Sequence, residues 1–142
     1  MPLALIPEPH RLRQEAGRFT VPRPLSIGIS SEALFPAAEA VRDLFGCAPI
    51  AIAADKVDDP CVLRLRKGLA PEGYRLRIGA RGIRLEAASV AGAAHGVRTL
   101  AQIVQQSNGL TLPKLAITDW PDFAVRGQYY DLCRGRVPTL DR

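Results

Sequence analysis

Catalysis and metal binding need titratable or nucleophilic side chains brought together, and this chain of 142 residues offers few such groups at short range. Its two histidines, His10 and His95, have no carboxylate or cysteine at ligand spacing, so neither marks a metal site. Cys47, Cys61 and Cys133 lack metal-type spacing and are odd in number, which reads as buried free thiols. Asp58-Asp59 is an acidic pair in a loop with no supporting residues around it. "GARG" is a hairpin turn and "GAAHG" lies inside a helix, so neither is a phosphate loop. No Ser/His/Asp order makes a nucleophile elbow. The densest chemistry is basic: the arginines of "LRLRKG" and "YRLRIGARGIRL" stripe one face of a sheet.

The elements that carry these residues follow from periodicity. "LALIP" reads as a short strand, "RLRQEAGRFTVP" as a hairpin turning at Ala16-Gly17, and "LSIGIS" as a half-buried strand by its alternation. Ala37, Ala40, Val41 and Leu44 fall on one face of a helix, with Pro36 in its first turn and Gly46 placed to cap it. "PIAIAA" returns to a strand. Tyr74, Leu76 and Ile78, then Ile83, Leu85 and Ala87, point to one face of a hairpin whose other face carries Arg75, Arg77, Arg84 and Glu86. A second helix over 90–105 buries Val90, Ala93, Ala94, Val97, Leu100, Ala101 and Val104. Gly92 and Gly96 each cost this helix about 1 kcal/mol against alanine, so a neighbour must approach closely there. "LTLPKLAITDWP" supplies the last strand or two. The fold class is α+β: a two-layer domain with a mostly antiparallel sheet and helices on one face.

Composition agrees with one domain whose core is aliphatic: 47% of residues are hydrophobic, 23% charged and only 6% aromatic. The formal charge of +5 invites an acidic partner. No nucleic-acid role is expected, because Tyr74, the aromatic of these strands, points inward and leaves no stacking platform. No apolar run reaches the roughly 18 residues of a membrane span, so no membrane role is expected either. The start has no basic region and no long apolar region, which suits a cytoplasmic chain, or a secreted or periplasmic one whose leader has been removed. No cofactor is indicated.

The closing stretch is the most specific. "EGYRL" (72–76), the helix residues Gly92, Gly96, Thr99, Leu100 and Gln102, the connector Ile117, Asp119, Pro121 and Phe123, and then Arg126, Gly127, Asp131 and Arg134 occur in order. Together they resemble the β-N-acetylhexosaminidases of glycoside hydrolase family 20. That family carries a small α+β domain followed by the opening strand of a (β/α)8 barrel, marked R-G-x-x-x-D-x-x-R. The resemblance implies an accessory domain over 1–121 and the start of a catalytic barrel, cut short, over 122–142. Thr139 would then lie near the N-cap of the first barrel helix.

The resemblance also implies a function for the parent protein: release of terminal N-acetylhexosamine from glycans by retaining hydrolysis, with the substrate's own acetamide as nucleophile. The Asp-Glu pair that does the acid/base work in the family has no counterpart in these residues, so the chain by itself is expected to be inactive. Arg126 matches the arginine that hydrogen-bonds sugar hydroxyls, and its alternative is a salt bridge at the domain junction. Asp131 and Arg134 are read as pocket support. The implied partners are the remainder of the barrel and an N-acetylhexosamine-terminated glycan, with self-association through an adhesive tail strand. The sequence departs from the family after Arg134, where Gly135 stands, and at Cys133, which leaves sugar preference open. Two further readings remain: an accessory domain of an O-GlcNAcase-like enzyme or α-glucuronidase, and a stand-alone module binding polyanions or glycans.

Overall fold

Alternating apolar and charged residues either side of a Gly-rich turn make β5 (Tyr74–Gly79) and β6 (Gly82–Ala87) an antiparallel hairpin, and the rest of the sheet assembles around it. A computed structural model of the chain describes residues 3–46, 50–52 and 59–127. The other strands are β1 (Arg11–Thr20), β2 (Ile27–Ile29), β3 (Ile50–Ile52), β4 (Cys61–Leu65) and β7 (Thr111–Asp119). They form one sheet in the order β1-β7-β5-β6-β4-β2-β3. The helices α1 (Phe35–Phe45) and α2 (Val90–Gln105) pack on one face of it and touch each other.

This is the α+β layer expected from the sequence, but the sheet is mixed rather than mostly antiparallel. The pairs β1/β7, β7/β5 and β5/β6 run antiparallel, whereas β6/β4, β4/β2 and β2/β3 run parallel. The parallel half arises because α1 is the crossover between β2 and β3, and a helical crossover returns the chain in the same direction. It also explains why Ile27, Gly28 and Ile29 are all buried where alternation called for one wet face.

Three local expectations are corrected. Arg11–Thr20 is one long strand on β7, not a hairpin; Gly17, at φ 95°, sits in a bulge where the register shifts between Gln14 and Arg18. Residues 3–7 are not a strand either. They lie along α2, where the Gln106 side-chain amide bonds the N–H and C=O of Ala4 (2.9 and 2.6 Å) and the Gln102 amide does the same for Ile6 (both 2.9 Å). Two glutamines four apart on one helix face thus stand in for a neighbouring strand. On α1 the buried stripe is Ala37, Ala38, Val41 and Phe45, with Ala40 outside; on α2, Val90 is exposed and Ile103 is buried.

The two helix glycines sit where close approach demands them. A Cβ on Gly92 would lie 2.6 Å from the Gly73 carbonyl oxygen and 2.9 Å from that of Glu72. One on Gly96 would run into Leu85 Cδ1 and stand 3.1 Å from Tyr74 Cδ2. Replacing Gly96 by leucine should therefore destabilise the domain by about 1–3 kcal/mol through overpacking. Denaturant unfolding of the purified chain checks this, and an unchanged midpoint would mean that the helix can lift away without cost.

Candidate functional site

The titratable groups that are scattered in the sequence meet at one end of the sheet, where β7 runs out into the connector 120–127. They line an open basin of about 500 Å³ between the N-terminal segment, α2 and the connector. Its floor is Tyr74, whose hydroxyl lies 2.6 Å from Thr99 Oγ1 and donates to Asp119 Oδ2 at 3.2 Å. Burial pushes the phenol well above its ordinary range, so it stays protonated as a donor.

On one side His10 is held between two carboxylates. Its Nδ1 is 2.8 Å from Asp119 Oδ1 and its Nε2 is 2.9 Å from Asp122 Oδ1. The ring also stacks on Trp120 with centroids 4.0 Å apart, and the Arg11 guanidinium lies 6.0 Å from that indole's centroid. A neutral imidazole has one N–H and would turn a lone pair toward the other carboxylate, so this geometry calls for the imidazolium. The hydrogen bond that His10 donates to Asp119 is the main cause that raises its pKa, with Asp122 adding to it.

On the other side Glu72 is the hub. Its Oε2 accepts from Arg126 at 2.5 Å and lies 3.2 Å from His95 Nε2. Arg126, the first cause, and His95, the second, hold the Glu72 carboxyl below the usual carboxylate range. Arg126 also donates to the carbonyl of Phe123 at 2.7 Å, which folds the connector back on itself. Glu72 adopts φ 53°, uncommon for a residue with a Cβ. The corner it makes is fixed by Gly73 N–H donating to the Ala70 carbonyl and Ala88 N–H donating to that of Gly73.

Arg126 thus sits at the basin rim, paired with a carboxylate of the domain, while Asp131 and Arg134 lie outside the described residues, as does Thr139. Sequence reasoning missed His10, Glu72 and Asp122 as a constellation, because their partners are 23 to 112 positions away in the chain. The local signals were the "EGYRL" stretch that contains Glu72 and the Asp119–Pro121–Phe123 stretch. Among the described residues no cluster of His, Cys, Asp and Glu could hold a metal ion, and no helix is long and apolar enough to cross a membrane. Cys61 is buried and its thiol is pushed up to about 12, so it is not a nucleophile; Cys47 and Cys133 lie outside the described residues.

In this two-layer domain the hydrogen-bonding groups of the N-terminal segment, β5 and α2 converge on residues 119–126. The chain belongs to glycosyl hydrolase family 20, domain 2, whose family model matches residues 3–120. It is 32% identical over 152 residues to a β-hexosaminidase of Porphyromonas gingivalis, covering 96% of this chain and 20% of that protein. It is 30% identical over 137 residues to a β-hexosaminidase of Vibrio furnissii, covering 93% of this chain and 22% of that protein. Among solved structures, the Flavobacterium johnsoniae chitobiase superposes with a TM-score of 0.70 at 26% identity, covering 87% of this chain and 21% of that one. The chain therefore spans about a fifth of the length of the curated relatives it matches.

The His10 clamp predicts a pH dependence. A folded-state pKa raised above the ordinary 6.5 means that the stabilisation is fully present below that value and is lost as pH rises through the folded pKa. The melting temperature of His10→Gln should fall furthest below that of the parent chain in mild acid, and the gap should close in mild alkali. A gap that is constant with pH would assign His10 a packing role on Trp120.

Proposed function

We propose that the chain is the accessory domain of an enzyme that releases terminal N-acetylhexosamine from glycans, and that its basin orients the connector into the catalytic barrel. The observation that carries this reading is the double hold on residues 119–126 from His10 and Glu72, in a chain matched over 3–120 to a hexosaminidase domain. On this reading the domain boundary lies near Pro121, the barrel begins within 122–142, and the partner of the basin is the rest of that barrel. Hydrolysis in the parent follows the family's substrate-assisted route, in which an Asp-Glu pair outside these residues does the acid/base work.

In the parent protein Arg126 is proposed to turn from Glu72 toward the sugar, where its planar set of donors suits neighbouring hydroxyls. The competing reading keeps it as the junction salt bridge that the isolated chain displays. Asp131 and Arg134 are proposed as supports of the same pocket.

Two measurements test this. The 142-residue chain should release no nitrophenol from an aryl N-acetylglucosaminide, and measurable turnover by pure protein would overturn the accessory assignment. In a protein joining this domain to its barrel, Arg126→Ala should lower kcat/KM by at least about tenfold, the loss of one charged hydrogen bond of about 1.5–3 kcal/mol. A fall of less than about threefold would leave Arg126 a structural residue of the junction.

A further inference from the structure

The helices cover only one face of the sheet, and the open face on the other side is dominated by arginine. Strand register places Arg13, Ala116, Arg77 and Arg84 in one row across β1, β7, β5 and β6. The next row runs Arg11, Thr118, Arg75, Glu86 and Arg64 across β1, β7, β5, β6 and β4. Arg77 and Arg84 are direct cross-strand partners, an arrangement of like charges that costs stability in a sheet. Arg64 and Arg81 further disfavour the charged form of Arg84, whose pKa is lowered chiefly by burial.

Among the described residues, the carboxylates on this face are fewer than its arginines. Glu15 is engaged by Arg13 at 2.8 Å and approached by Arg77 at 3.9 Å, Glu86 is engaged by Arg66 at 2.8 Å, and Asp59 sits at the β2 end under Gly28. Arg64, Arg75 and Arg81 make no ion pair among the described residues. Neighbouring strands are about 4.8 Å apart and alternate residues along a strand about 6.7 Å. The guanidinium groups therefore stand in a lattice whose spacing is comparable to the repeat of one or two sugar rings.

We propose that this open face binds a linear acidic polysaccharide, one bearing carboxylates or sulfates along its length, and so acts as an exosite distinct from the basin. Arginine rather than lysine fits such a ligand, because its fork pairs bidentately with carboxylate and sulfate oxygens. The breadth of the open sheet suits an extended chain laid across several strands. A nucleic acid is disfavoured on the same observations: the strands place arginine, lysine, glutamate, threonine and alanine on this face, and Tyr74 is turned inward and buried, so the strands themselves offer unstacked bases no aromatic side chain. Such an exosite would hold the parent enzyme on charged glycan while the catalytic pocket works on a chain end.

The test needs no hydrolysis, so its outcome is independent of the function proposed above. The 142-residue chain is titrated with polygalacturonate, heparin, neutral dextran and single-stranded DNA at several salt concentrations. Binding to polygalacturonate or heparin that weakens as salt rises, with none to dextran, is expected. The double variant Arg75→Ser/Arg77→Ser should weaken it at least tenfold, while Arg98→Ser, on α2 across the sheet, should leave it unchanged. Both arginines point to solvent, and equal melting temperatures would confirm that the variants fold. No binding to either acidic polysaccharide at low salt would overturn the proposal. So would tighter binding to DNA, or an unchanged affinity in the double variant.

Discussion

The depth at which α2 sits on the sheet governs the rest of this molecule. Gly92 and Gly96 remove the side chains that would hold the helix off; the backbone corner at Glu72-Gly73 fills the space at Gly92, and Leu85 and Tyr74 fill that at Gly96. That corner is where β5 begins, so the position of the helix sets the position of Glu72, and Glu72 in turn meets Arg126 of the connector. On its outward side the same helix uses Gln102 and Gln106 to hold residues 4–6. One closely docked helix therefore places both chain segments that frame the basin. The about 1 kcal/mol that each glycine costs an isolated helix is offset by contacts that no larger residue would allow.

Most of the layer was legible in the sequence because strands and helices bury one face at a fixed period. The alternation of Tyr74, Leu76 and Ile78 and the 3.6-residue stripe of α2 need no knowledge of partners. What escaped was whatever depends on a partner far along the chain. "LALIP" has the composition of a strand but finds glutamine side chains instead of a neighbouring strand. Gly17 looks like a turn, yet β7 pairs on both sides of it and turns it into a bulge. The parallel half of the sheet could not be read from alternation, which reports burial and is silent on direction. The site shows the same limit more sharply. His10 lies in a run of prolines and charges with no local signal, and only the return of β7 beside β1 brings Asp119 to it.

The two faces of the sheet answer to different demands. Toward the helices β2, β4, β5, β6 and β7 contribute aliphatic residues with almost no exposure, and Leu76, Ile78, Ile83 and Leu115 are sealed completely. The buried face specifies the fold. The opposite face contributes nothing to that core and tolerates Arg77 against Arg84, a pairing that selection for stability alone would disfavour. Most of the basic surplus lies on the exposed strands, whereas in the basin His10 and Glu72 sit in matched sets. Segregation of charge, more than its total, distinguishes this domain from an ordinary solvated sheet.

Within the basin the matched sets are mirror images. On one side a cation, His10, is gripped by two carboxylates; on the other an anion, Glu72, is gripped by an arginine and a histidine. Each contact is substantially open to water and contributes little stability by itself. Their value is directional. With Asp119 and Asp122 pulled toward His10 and Arg126 pulled toward Glu72, the connector is fixed at both ends, and the stacked Trp120 supplies a flat support between them. Weak ion pairs at the rim and a stacked ring within make an oriented joint between the sheet and residues 120–126. Such a joint stays exchangeable, because water or an incoming polar group can replace any one of its partners without leaving a buried charge unpaired.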